Sequence, residues 1–249
     1  MQPMATPPDI CIRGAGIVGR TLALLLARER LRVSLVDVPP TSAAPDVRAY
    51  SLNGAAVALL QDLRCWPEAP AVTPVHQMQV WGDHGGELHF SAAPMGTDEL
   101  NWMVDVPVLE AQLAAAVQFQ PLIDVVQTPV AAPLTVVCEG RASQTRAELG
   151  VTFDVTHYPQ HAVAARLHCE LPHGEVARQW FGWSQVPGLS EPQSEILALL
   201  PLGGPGGHEV ALVWSVHPLR AQQLQALPAE EFATELSQAC SLALGRMTV

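Results

Sequence analysis

Asp9-Ile10-Cys11-Ile12-Arg13 runs straight into Gly14-Ala15-Gly16-Ile17-Val18-Gly19, and this stretch decides the fold. The residues before the glycines read as a short buried strand. Arg20 to Leu31 is rich in Leu and Ala and reads as a helix. Arg32 to Val36 reads as a second strand, closed by Asp37. The order is strand, glycine turn, helix, strand, acid, within about thirty residues, and each glycine has its own physical reason. Gly14 permits the tight turn out of the strand. Gly16 lets the backbone come against a pyrophosphate with no Cβ in the way. Gly19 lets the helix pack close to the sheet. The helix start presents unpaired N–H groups and a partial positive charge to an anion.

Asp37 follows Gly14 by 23 residues, where its carboxylate can accept the ribose hydroxyls of an adenosine. A carboxylate there repels a 2′-phosphate, so the expected ligand is FAD or NAD and not NADP. The fold class is α/β: a Rossmann-like dinucleotide-binding domain with an inserted mixed or antiparallel β-sheet domain.

Composition excludes other chemistry. Among 249 residues the 13 basic ones are all Arg, and the net charge is −11. With no lysine there is no Schiff base, no phosphate-loop lysine and no Tyr-x-x-x-Lys pair. The acidic balance argues against nucleic acid as a partner. The five cysteines are scattered, with no C-x-x-C, so no disulfide framework is expected and a cytoplasmic setting is the default. Residues Met1 to Asp9 lack the features of a signal peptide. The longest strongly apolar run, Leu22 to Ala27, is far shorter than the ~20 residues a membrane span needs.

A Pro/Ala-rich loop at Pro39 to Pro45 is followed by a helix expected over Asn53 to Arg64. Val75 to Trp81 and Glu87 to Ser91 alternate around Gly85-Gly86 as a hairpin. Val106 to Phe119 reads as a helix and Leu134 to Cys138 as a buried strand. Five further β-rich runs follow: Val151 to Thr156, Ala162 to Glu170, Val176 to Phe181, Glu195 to Leu200 and Glu209 to Val216. Ala229 to Leu244 closes as an amphipathic helix. The domains expected are 1–74 with 100–150 for the nucleotide, 75–99 with 151–228 as a β-sheet substrate domain, and 229–249 as a C-terminal helix.

Five segments occur in an order that resembles the flavin-dependent aromatic hydroxylases, in particular the ubiquinone-biosynthesis type. They are Asp9 to Asp37, Asp46-Val47-Arg48, Val136 to Arg146, Leu199 to Leu202, and Leu212 to Ser215. The resemblance implies that Gly14, Gly16, Gly19 and Asp37 hold the ADP part of FAD. It places Arg48 near the flavin side. It aligns Glu139-Gly140 with the family's Asp-Gly pair and Arg146 with the arginine that ends that motif, which contacts FAD. It sets Pro201 in the strand lining the substrate cavity, with Trp214 a further candidate there. The implied reaction reduces FAD with NAD(P)H and transfers one atom of O₂ to an electron-rich ring, with a prenylated phenol fitting the low charge. No acid–base residue is implied. The family's Gly-Asp-Ala flavin motif is not found before Val249, so the chain reads as a C-terminally truncated member, and a non-catalytic nucleotide-binding or accessory protein is the alternative. An NAD-dependent dehydrogenase would need a hydride-site acid–base pair that the sequence does not offer. Peripheral membrane contact stays open.

Other groups carry blander expectations. His157, His161, His168 and His173 read as solvated or edge-strand histidines. Ser143 reads as a helix cap. Asp98-Glu99 and Glu230-Glu231 read as solvated acids, Gly203 to Gly207 as a turn between strands, and Trp180, Trp183 and Trp214 first as core residues.

Overall fold

The computed structural model describes residues 7–38 and 46–249, so the loop expected at Pro39 to Pro45 lies outside the described residues. The chain opens with β1 (Ile10–Arg13), α1 (Ile17–Arg28), β2 (Val33–Val36), β3 (Ala49–Leu52) and α2 (Gly54–Asp62). Next come β4 (Val72–Val75), β5 (Gln77–Trp81), β6 (Glu87–Ser91), β7 (Asn101–Asp105), α3 (Val106–Gln118), β8 (Ile123–Val126), β9 (Leu134–Val137) and α4 (Gln144–Glu148). The rest is β10 (His161–Cys169), β11 (Val176–Ser184), β12 (Gln193–Leu202), β13 (Glu209–Val216), α5 (Pro218–Ala226), α6 (Ala229–Ala239) and β14 (Met247–Thr248).

Two compact units result. The first holds Met1–Pro45, Ala58–Trp66 and Pro107–Val155; the second holds Asp46–Val57, Pro67–Val106 and Thr156–Val249. Residues 46–57, 67–74 and 100–106 were expected with the nucleotide domain but fall in the second unit. The reason is pairing: β3, β7 and β4 form their own antiparallel sheet, which packs through Val75 and Met103 onto Leu202 and Ala211 of the larger sheet.

The first unit is built on a parallel sheet in the order β8-β2-β1-β9. β1 and β2 are its central strands and are buried nearly throughout, as expected of continuous apolar runs in a parallel sheet. α1 lays Gly19, Ala23, Leu24 and Ala27 into the core at helical spacing. The helix begins three residues earlier than expected, at Ile17 directly after the second glycine. β9 was expected to be buried, but it is the edge strand, and Leu134 and Val137 are exposed. Val151 to Thr156, expected as a strand, has no regular structure; its alternating Val151, Phe153 and Val155 are exposed because no strand pairs with them.

The second unit carries a seven-stranded sheet in the order β14-β10-β13-β12-β11-β5-β6. Only the β11–β5 pair is parallel. The β5–β6 hairpin pairs Gln77 with Ser91, and Val75 belongs to the smaller sheet instead. Side chains alternate between faces. On one face Leu197, Leu199, Val210, Leu212 and Trp214 pack under Ala221, Leu224, Phe232 and Leu236 of α5 and α6. Glu195 enters that core with its charge satisfied: Ser184 Oγ donates to it, Trp214 Nε1 donates at 3.1 Å, and Arg220 stands 3.7 Å away. On the opposite face Phe181 and Val213, which share that side by register, are partly open to solvent.

Candidate nucleotide site

The glycine turn is shaped by sterics that a side chain cannot meet. Gly14 has φ +108°, and a Cβ there would stand 2.5 Å from the Cys138 carbonyl oxygen. A Cβ on Gly19 would stand 1.9 Å from the Gly14 oxygen. Both glycines are therefore demanded by the protein's own packing. Gly16 is different: it is exposed, its backbone is extended, and no atom of the described residues lies within 4 Å of where its Cβ would be. The open space lies in front of Gly16, where a diphosphate would approach. Among the described residues no side chain caps the start of α1, and its first turn carries no acid. The first helical N–H groups are thus left for an outside acceptor, since the first helical backbone bond is made by Arg20 to Gly16 O at 3.0 Å. Ala15 is buried behind the turn, while Val18 projects into solvent. The residues present fit the ADP part of a dinucleotide.

Asp37 stands just past β2, with its amide bound to Val126 O at 2.9 Å. Its Oδ2 is paired with Arg20 Nη2 at 3.2 Å. That pair was not anticipated, although an Arg directly after the third glycine was visible in the sequence.

Glu139 occupies the corner after β9. Arg13 Nε approaches Oε1 at 3.1 Å, and Thr145 Oγ1 donates to the same oxygen at 2.5 Å. Ser143 Oγ donates to Oε2 at 2.7 Å and Thr145 N at 3.0 Å. Desolvation pushes the carboxyl group up, but these hydrogen bonds and the Arg13 charge outweigh it and hold the pKa at about 2. Arg13 reaches on to Glu148 at 3.3 Å. The Glu139 carboxylate, expected to touch the cofactor, is committed to the protein's own loop. Ser143 caps α4 by accepting from Arg146 N at 3.2 Å.

Gly140 adopts φ +68°, with open space at its Cβ position. Arg146 places its guanidinium 3.8 Å from the centre of the Phe153 ring and donates to Arg141 O at 3.0 Å. A recess of about 240 Å³ lies between Val137, Gly140, Arg146 and Val151. A larger one, about 720 Å³, runs along α6 and β14 and contains none of the expected site residues.

Arg48 belongs to the second unit. Its Nε and Nη2 clasp Asp46 at 2.8 and 2.6 Å, and the side-chain hydrogen bond from Arg48 lowers the Asp46 pKa. The Arg48 carbonyl accepts from Arg166, which also holds Asp105 at 2.5 Å. Pro201 and Trp214, expected at a substrate cavity, lie on the helix-covered face: Trp214 is 1% exposed, and Pro201 pairs with core residue Val210. Alternation explains this, because both share a face with Leu199 and Leu212. The apolar residues on the open face, Phe181, Ile196 and Val213, were not singled out, although the alternation in β11 to β13 was the signal for them.

Among the histidines, His173 is not solvated. It is fully buried, with Nδ1 accepting from Glu175 N at 2.9 Å, so that Nε2 carries the proton and donates to Leu202 O at 2.9 Å. Burial lowers its pKa. Trp183 is exposed and donates to Asp83 at 2.6 Å, and Trp180 stacks on Trp81.

The fold matches solved structures of FAD-dependent monooxygenases. The probable FAD-dependent monooxygenase PqsL from Pseudomonas aeruginosa superposes with a TM-score of 0.72 at 17% identity, covering 97% of this chain and 72% of that one. The 2-methyl-3-hydroxypyridine-5-carboxylic acid oxygenase superposes at 0.71 with 13% identity, covering 96% and 67%. In sequence the chain is similar to hydroxylases of ubiquinone and its precursors. It is 26% identical to 3-demethoxyubiquinol 3-hydroxylase of Escherichia coli over 97% of its length and 28% identical to the ubiquinone hydroxylase UbiL of Rhodospirillum rubrum over 92%. It spans 66% and 57% of those two proteins. No family model matches the chain.

Proposed function

We propose that the chain binds the ADP part of FAD at Gly14 to Gly19 and Asp37, and serves a monooxygenase-type oxidoreductase that acts on an aromatic ring. The observation that carries this is the division of labour among the glycines: Gly14 and Gly19 are forced by contacts, whereas Gly16 faces open space at an uncapped helix start. When bound, FAD supplies the redox chemistry, taking reducing equivalents from NAD(P)H and passing them to O₂. The chain's part is to seat the diphosphate on backbone N–H groups and the ribose on the Asp37 carboxylate. Arg48, Gly140 and Arg146 are retained as flavin-side residues on the strength of the resemblance, while Glu139 holds the loop that carries two of them. Pro201 and Trp214 are assigned to packing. The substrate class is a hydrophobic phenol of the ubiquinone-precursor kind; the open apolar sheet face around Phe181, Ile196 and Val213 and the names of the sequence relatives both support it. Among the described residues no helix is long and apolar enough to cross a membrane.

The test is direct. The purified chain is incubated with FAD, desalted and scanned for visible absorbance, and NADH or NADPH consumption is then followed with and without a phenol. Retained flavin and phenol-dependent consumption support the proposal. A colourless chain that binds ADP would reduce it to nucleotide binding, and one that binds neither would overturn it.

A further inference from the structure

Arg20 and Asp37 together alter what the sugar end of the site can accept. A lone acid in this place receives ribose hydroxyls and repels a phosphorylated ribose, whereas an arginine in this place accommodates a 2′-phosphate. Here both are present and paired. Arg20 Nη2 lies 3.2 Å from Asp37 Oδ2, with the two side chains 16% and 39% exposed. The contact uses one carboxylate oxygen and one nitrogen. Asp37 Oδ1 and the remaining N–H groups of Arg20 have no partner among the described residues. Both backbones are anchored, Arg20 by its bond to Gly16 O and Asp37 by its bond to Val126 O. The pair therefore presents an unused acceptor beside several unused donors, with the acid's charge neutralised locally. A guanidinium fork suits phosphate oxygens, and a free carboxylate oxygen suits a hydroxyl.

We infer that this site accepts adenine nucleotides whose ribose carries a 2′-phosphate as well as those with a free ribose, and that Arg20 is the residue that sets this tolerance. The inference rests on the nucleotide-binding reading proposed above. A 2′-phosphorylated adenine nucleotide then competes for the place that FAD's ADP part would take.

The experiment is calorimetric titration of 5′-ADP and of 2′,5′-ADP into the wild-type chain, Arg20→Met and Arg20→Lys. Wild type binds the two probes within about tenfold of each other. Arg20→Met weakens 2′,5′-ADP by about tenfold or more and 5′-ADP by less than about threefold, the loss expected for one charge-assisted contact. Arg20→Lys keeps the charge and recovers part of the 2′,5′-ADP affinity. Wild type that binds 5′-ADP but takes 2′,5′-ADP more than tenfold less tightly overturns the inference. So does an Arg20→Met variant that weakens both probes alike, or neither. If wild type binds neither probe, the nucleotide reading itself has failed, an outcome distinct from a wrong role for Arg20.

Discussion

Replacing each glycine of the turn by alanine separates positions required by the fold from the one left for a ligand. At Gly19 the new Cβ would stand 1.9 Å from a backbone oxygen and 3.1 Å from the Gly14 carbonyl carbon. Neither atom is the end of a flexible side chain, so α1 must shift off the turn. Such overpacking costs about 1–3 kcal/mol, reduced by the ~1 kcal/mol that Ala gains over Gly inside a helix. At Gly14 the 2.5 Å contact adds to a φ of +108°, a conformation that itself costs about 1–3 kcal/mol for a non-glycine residue. The expected loss is about 1–2 kcal/mol for Gly19→Ala and about 2–6 kcal/mol for Gly14→Ala. For a chain of this size these correspond to drops in Tm of roughly 2–8 °C and 4–24 °C. Gly16→Ala meets nothing within 4 Å and keeps a φ of −73° that alanine adopts freely. Its small N-cap penalty and its entropic gain nearly cancel, leaving stability within about 0.5 kcal/mol of wild type. Its Cβ does stand where the diphosphate approaches, so ADP affinity falls by about tenfold or more. Thermal unfolding followed by circular dichroism and calorimetric titration with ADP give the two readouts. Gly16→Ala melting as low as Gly14→Ala, or binding ADP as wild type does, would refute the steric argument.

Three further outcomes follow from the same geometry. Glu139 titrates near 2 when folded against 4.5 ordinarily, so its contribution is present above pH 4.5 and is lost as pH falls toward 2. Glu139→Gln should lower stability by about 2–3 kcal/mol at pH 7 and flatten the acid limb of a urea-midpoint-versus-pH plot; an unchanged limb would count against the clasp. Burial lowers the His173 pKa below the usual 6.5, so the unfolded chain takes up a proton that the folded ring refuses. Stability should therefore decline as pH drops through 6.5, and His173→Asn should remove that part of the slope in the same experiment. Trp214→Phe leaves Glu195 without its indole donor and opens space in the helix-covered core, with an expected loss of about 2–4 kcal/mol in chemical denaturation. A stability change below 1 kcal/mol would reopen a ligand-facing role for this residue.

What was legible in the sequence depended on how local its cause was. The β1-turn-α1-β2 unit is specified by neighbours in the chain, by glycines and by continuous apolar runs, and its order stands as expected, with the helix both starting and ending three residues earlier. The Ser143 cap and the β5–β6 hairpin are similarly local. Features decided by distant partners were not legible. β9 carries the residues of a buried strand, but its place at the sheet edge leaves it exposed, and no residue near Leu134 encodes that place. Val151 to Thr156 alternates like a strand, but no strand among the described residues pairs with it. Trp214 reads first as a core residue and second as a cavity residue, and only the register of β12 against β13 sets its face. The Arg20–Asp37 and Arg13–Glu139 pairs join residues 17 and 126 positions apart, and both arise because the turn, the β2 end and the β9 end converge.

The most direct measurement is an ADP titration of the wild-type chain monitored by backbone amide NMR. The account predicts saturable one-to-one binding, with the largest shifts at Ala15 to Gly19 and at Asp37. Amides in that turn that stay still at millimolar ADP, or that shift no more than those of the second unit, would contradict it.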